Sequence, residues 1–174
     1  MKTKGTHKTN YNIVEAITLH YPALTLWVDA GISNIYELNT WEKLGVRLVL
    51  GSENFTNIDS YCSLQHHKKD FILSLDFMPH GYQGPEELCM HNKYWPQDVI
   101  IMSLANVGSN QGANMTLLNE VLSHNKNFNV YAAGGIRDLD DLRLLKEKGV
   151  HGALIATALH QKKISTKALE DIAQ

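Results

Sequence analysis

The sequence predicts a single α/β domain whose parallel strands curl into a (βα) barrel, and three observations predict it. Short, nearly continuous apolar runs alternate strictly with amphipathic stretches of helical period. The apolar runs are rich in Val, Ile and Leu, the pattern of strands buried on both faces in a parallel sheet. A strand–helix–strand unit also recurs along the chain, which favours a barrel of two similar halves over an open doubly wound sheet.

Taken in order, residues 10–21 (NYNIVEAITLHY) read as a helix and 24–30 (LTLWVDA) as the first strand. Helix 34–45 follows, with Asn34 and Glu37 at capping-box spacing and Gly45 just past its end. Strand 47–52 (RLVLGS), helix 57–69 and strand 71–77 (FILSLDF) come next. The segment PHGYQG is read as a loop, leading into helix 85–95 and strand 98–105 (DVIIMSLA). A polar, glycine-rich stretch, NVGSNQGAN, precedes helix 114–125 and strand 129–135 (NVYAAGG). Asp138 opens helix 138–149, Gly149 closes it, strand 152–158 (GALIATA) follows, and helix 165–174 ends the chain.

The repeat is visible at residue level. Val28–Phe55 and Ala132–His160 both read as strand, Gly-Ile, polar cap, helix ending Lys-x-Gly-Val, then a strand ending in small residues. Gly31 matches Gly135, Ile32 Ile136, Gly45 Gly149 and Val46 Val150 at one offset. One inserted residue later, Gly51-Ser52 matches Ala156-Thr157.

Composition narrows the function classes. The 174 residues are 44% apolar and 20% charged with a net charge of −2, ordinary for one globular domain over residues 1–174. That balance gives no electrostatic reason to expect nucleic acid or an anionic membrane surface as partner. No apolar run approaches membrane-spanning length and the first ten residues lack a signal-peptide core, so a cytoplasmic location is expected. Cys62 and Cys89 lack metal-type spacing and point to a reducing compartment. The nine histidines are scattered, with His66 and His67 adjacent on one helix, so no metal site and no cofactor is expected.

The motifs WVDAGI (27–32), LVLGSEN (48–54), ILSLDF (72–77), NVGSNQGAN (106–114), AAGGIRDLDDL (132–142) and GALIATALH (152–160) carry a family resemblance. In this order they make the chain similar to the ProFAR isomerases of histidine biosynthesis and their cyclase-side relatives. More closely, it resembles the isomerase-related proteins of methanogens and methylotrophs. The resemblance implies a TIM barrel of the ribulose-phosphate-binding type with a half-barrel repeat. It also implies an isomerase- or lyase-type activity on a phosphorylated small molecule, and extends to tetrahydromethanopterin-linked one-carbon metabolism. Against the family's eight units, this chain supplies six and lacks the first strand, first helix and second strand. A shortened barrel is therefore expected, with open sheet edges that favour a homo-oligomer.

In such barrels the chemistry sits at the C-terminal ends of the strands. The first candidate phosphate site is Gly134 and Gly135 with the backbone of Ala156 and Thr157, since glycines permit close approach and helix starts offer amide donors. Arg137 is a possible aid to an anion or a solvent-facing side chain. The repeat partner, Gly31 with Gly51 and Ser52, is the second candidate, but Asp29-Ala30-Gly31 stands where the isomerases have three glycines, and Asp29 repels a phosphate unless it points elsewhere. By resemblance Asp76 is a general acid/base, and a carboxylate at a strand end in a barrel mouth also suits proton transfer; the alternatives are a helix cap or hydrogen-bonding partner for the PHGYQG loop, or ligand binding. Ser103 is a candidate hydrogen-bond partner of substrate. Two alternatives stand beside this reading: authentic ProFAR isomerase if the natural chain is longer, and a non-catalytic phosphate-ligand-binding or assembly protein.

Overall fold

The computed structural model describes residues 6–68, 70–104, 112–123 and 127–173. The elements are α1 (Thr6–His20), β1 (Trp27–Asp29), α2 (Ile35–Glu42), β2 (Arg47–Gly51), α3 (Ile58–His67), β3 (Ile72–Met78), β4 (Gly81–Gln83), α4 (Glu86–Met90), β5 (Asp98–Ser103), α5 (Met115–Ser123), β6 (Asn129–Ala133), α6 (Leu139–Glu147), β7 (Gly152–Leu154), α7 (Thr157–His160) and α8 (Thr166–Ala173). One sheet runs β1-β2-β3-β5-β6-β7, every neighbouring pair parallel, and β4 adds to β3 as an antiparallel hairpin strand. Six parallel strands with helices between them are the six-unit barrel segment that the alternation predicts.

Side-chain alternation divides each strand between two cores. Leu48, Leu50, Leu73, Leu75, Val99, Ile101, Val130 and Ala132 face the helices, joined there by Leu38, Trp41, Tyr61, Leu64, Leu142 and Leu145. The opposite face holds a smaller cluster of Val49, Ile72, Ile100 and Ala133, with Trp27, Met102, Tyr131 and Leu154 packed on it. The sheet curls around this second cluster. Trp27 on β1 meets Tyr131 on β6 edge to face at 4.8 Å, although three strands lie between them in the sheet. Gly152 makes room for that ring: a Cβ there would lie 2.8 Å from Tyr131.

The inner face is closed at the strand starts by a polar plug. Arg47 on β2 donates to Asp98 on β5 at 2.8 Å, reaching across β3. Asn129 and Tyr131 donate to the other oxygen of Asp98, at 2.9 and 3.1 Å. Among the described residues no strand pairs the outer edge of β1 or β7, so the curl stays open there.

The repeat extends into the helix caps. Asn34 accepts from the Glu37 amide at 3.0 Å and Asp138 from the Asp141 amide at 3.1 Å. In each case the residue before the cap donates its amide to the side chain of that acidic residue, Ser33 to Glu37 and Arg137 to Asp141, both at 2.9 Å. Gly45 (φ 67°) and Gly149 (φ 81°) both leave their helices in the left-handed region.

Several boundaries differ from the sequence reading. Strands 24–30 and 152–158 are confined to Trp27–Asp29 and Gly152–Leu154, and α7 starts at Thr157. Helix 85–95 breaks into α4 and a 3-10 turn at Asn92–Tyr94, and the PHGYQG loop contains β4. Most of the NVGSNQGAN loop and the end of helix 114–125 lie outside the described residues.

Candidate functional site

The C-terminal ends of β5, β6 and β7 frame a cavity of about 290 Å³ lined by Met102, Ala133 to Arg137 and Leu154 to Thr157. That volume is near the lower end for small-molecule sites, which run about 300–1,000 Å³. The wall exists because β6 ends in two consecutive glycines. Gly134 (φ 97°) and Gly135 (φ 81°) both hold the left-handed backbone that a side chain would strain. The turn lays main chain, without side chains, along the cavity. Ala156 and Thr157 lie opposite it, where β7 ends and the single turn of α7 begins. The structure thus brings the four residues of the first candidate phosphate site to one cavity.

Arg137 also lines this cavity, but its guanidinium is engaged. Nε donates to Asp141 Oδ2 at 2.9 Å and Nη2 to Oδ1 at 2.7 Å. This paired grip holds the Asp141 carboxyl below the usual carboxylate range. Arg137 therefore braces the start of α6 and presents its charge beside the cavity rather than freely within it.

Asp76 stands at the cavity's flank. It pairs in register with Met102, a lining residue, and by alternation its side chain shares the inner face of the sheet. The residue is buried. Burial pushes its carboxyl above the ordinary value; the Ser74 hydroxyl, donating at 2.7 Å, and the Glu53 amide oppose the rise, while the charges of Glu53 and Asp29 add to it. A buried carboxyl at a barrel strand end, its pKa raised above the ordinary value by burial, has the chemistry of a proton donor and acceptor.

The repeat-related turn is arranged differently. Asp29 turns its carboxylate back onto its own loop, where Oδ1 accepts the Gly31 amide at 3.0 Å. Gly31 keeps the left-handed backbone, φ 65°. Ser52 is fully buried and its hydroxyl donates to the Gln83 carbonyl at 2.6 Å while accepting the Asp76 amide at 3.0 Å. The β4 hairpin seals it, with Gly84 so close that a Cβ would lie 2.6 Å from the Ser52 carbonyl oxygen. Gly51 lies on the inner face between two acids: a Cβ there would come 3.1 Å from Asp76 Oδ2 and 3.6 Å from Asp29 Oδ2. Asn54 lies over the same glycine, its buried Nδ2 without a partner among the described residues.

Ser103 is not brought to this constellation. It follows Met102 on β5 and pairs with Phe77, so alternation turns it to the helix-facing side. It is buried, and its hydroxyl has no hydrogen-bond partner among the described residues. Among the described residues no group of three His, Cys, Asp or Glu side chains is placed to hold a metal ion. No helix of the described residues is long and apolar enough to cross a membrane. Cys62 and Cys89 are both free thiols. Sequence reasoning missed Ser74 and Asn54 as neighbours of the acids; the alternation of ILSLD, with Ser two residues before Asp, was the available signal for the first.

The fold and the position of this cavity define a class, the parallel (βα)-barrel proteins with their site at the carboxyl ends of the strands. Within it, the chain belongs to the histidine-biosynthesis protein family, whose family model matches residues 2–165. It is 30% identical over 158 residues to an uncharacterized protein of Methanocaldococcus jannaschii, covering 87% of this chain and 65% of that protein. It is 28% identical over 159 residues to a phosphoribosyl imidazole-4-carboxamide isomerase of Clostridium kluyveri, covering 83% of this chain and 66% of the isomerase. The isomerase of the same name from Clostridioides difficile is 25% identical over 176 residues. The chain spans about two thirds of the length of the first two relatives.

Proposed function

We propose that this protein is a phosphosugar-binding barrel of isomerase type, with the phosphate held by the main chain of Gly134, Gly135, Ala156 and Thr157 and proton transfer carried by Asp76. One observation carries the reading: a side-chain-free glycine turn opens onto a cavity whose neighbouring strand presents a buried carboxyl with its pKa pushed up by burial. Phosphate oxygens accept from main-chain amides that glycines leave accessible. A carboxyl that can gain and lose a proton can shuttle a hydrogen between neighbouring carbons of an aldose and a ketose, one form of isomerase chemistry. The Clostridium kluyveri and Clostridioides difficile relatives are named as isomerases. Such a transfer requires a positioned proton carrier, the role this reading gives to Asp76. The reading concerns ligand and reaction type, not the pathway in which they occur.

The test is a melt and a turnover assay on the same protein. Ribose 5-phosphate at a hundred times its dissociation constant is expected to add about 2.7 kcal/mol of stability. Aldose–ketose interconversion is expected in the unsubstituted chain and absent in Asp76→Asn, which still binds. No rise in melting temperature with any sugar phosphate removes the proposal. A second reading, a phosphate-binding barrel without catalysis, is favoured by the position of Ser103 away from the inner face. Binding with no turnover in either form would select it.

A further inference from the structure

The two halves of the repeat both turn through a left-handed glycine after their first strands, Gly31 and Gly135, but they differ in charge. Asp29-Ala30-Gly31 occupies the place that Ala133-Gly134-Gly135 holds in the second half. In the second half the turn's main chain faces an open cavity. In the first half the carboxylate of Asp29 accepts the Gly31 amide, the position an incoming anion would occupy. The other donor expected of this half, the Ser52 hydroxyl, is buried and committed to Gln83. Asp76 adds a second carboxyl against the same Gly51, and Glu53 a third acidic side chain close enough to raise the Asp76 pKa.

We propose that this barrel takes a substrate with one phosphate only, and that Asp29 sets the limit. The inference rests on the phosphate reading of the Gly134–Gly135 turn. The phosphate sits at that turn, and the far end of the ligand is a hydrogen-bond donor, a hydroxyl or amino group, received by the carboxylates of Asp29 and Asp76. A second phosphate at the far end meets like charge and finds the Gly31 amide already occupied. Both the repulsion and the missing donor act against bisphosphates, so discrimination comes from what is built against the wrong ligand as much as from contacts to the right one. Gly51 keeps the floor between the two acids open, because any side chain there would press on Asp76 and Asn54.

The experiment compares ribose 5-phosphate with ribulose 1,5-bisphosphate by titration calorimetry, on the unsubstituted chain, on Asp29→Gly and on Asp29→Asn. The unsubstituted chain is expected to bind the monophosphate at least as tightly as the bisphosphate. Asp29→Gly recreates a glycine-lined turn and is expected to shift the ratio toward the bisphosphate tenfold or more. Asp29→Asn removes the charge while leaving an oxygen on the Gly31 amide, and is expected to shift the ratio by less, which also serves if the glycine variant does not fold. An unsubstituted chain that prefers the bisphosphate tenfold, or a ratio unmoved in both variants, overturns the inference while leaving phosphate binding intact. Binding of neither sugar to any form overturns the phosphate reading and this inference with it.

Discussion

Replacing Arg47 with methionine tests the polar plug that closes the inner face. Met matches the aliphatic length of Arg and removes the charge, leaving Asp98 inside the barrel with the Asn129 and Tyr131 donors. Removing one partner of a buried ion pair costs about 3–5 kcal/mol, because the other charge is left without its partner. Here the Arg47 side chain is 28% exposed and the Asp98 side chain 10%. With that exposure and the two remaining donors, the expected loss is about 2–3 kcal/mol. For a domain of this length that is a fall of about 5–10 °C in melting temperature. The pH dependence is the sharper signature. Burial works against the charge of Asp98, but Arg47, Asn129 and Tyr131 together hold its folded pKa below the ordinary value. Its contribution is therefore present above the unfolded value of about 3.9 and lost as pH falls through the folded one. The gap between the parent and Arg47→Met is widest near neutral pH and narrows as pH falls below about 4. Paired chemical melts from pH 3 to 7 measure it. A variant within 0.5 kcal/mol of the parent at pH 7, using the ordinary spread of surface substitutions as the yardstick, or a gap that does not narrow in acid, refutes this account of the plug.

Four further outcomes are expected. Asp76→Asn abolishes turnover and raises stability at pH 7: a folded pKa above the unfolded one means the parent loses stability as pH rises between the two, and the amide does not. Melts at pH 4 and 7 should show that gain shrinking in acid. Gly84→Ala places a Cβ 2.6 Å from the Ser52 carbonyl oxygen at φ 132°, and should cost about 1–3 kcal/mol by chemical denaturation. Asn34→Ala and Asp138→Ala should each cost about 1 kcal/mol, because each side chain caps a helix by accepting from the amide three residues on, Asp138 also from the Asp140 amide. The edges of β1 and β7, unpaired among the described residues, predict assembly, and light scattering should read a multiple of the 19.6 kDa chain mass; a reading of 19.6 kDa removes the homo-oligomer.

Much of the fold was legible because barrel strands are continuous apolar runs and the repeat fixed their spacing. The equivalence of Gly31 with Gly135 and of Gly45 with Gly149 is a match of left-handed backbone, which a sequence shows directly when the residue is glycine. Other features depend on curvature and cannot be read along one strand. Arg47 and Asp98 each begin a strand and resemble solvent-facing ends; only the curl joins them across β3. The β4 hairpin was hidden because GYQ is short, and its pairing depends on β3 running on to Met78. Ser52 matched Thr157 in the repeat, yet the hairpin buries the one and leaves the other exposed. The Asp29 contact with Gly31 was available in principle, since an Asp two residues before a glycine is a frequent side-chain-to-backbone turn.

The central claim is that main-chain amides at the β6 and β7 ends hold a phosphate. Amide resonances of the isotopically labelled chain, followed during titration with ribose 5-phosphate, test it most directly. The account predicts saturable shifts concentrated at Gly134, Gly135, Ala156 and Thr157, with Gly31 and Ser52 little moved. Saturable binding that shifts other amides and leaves these four in place, or no binding at all, contradicts it.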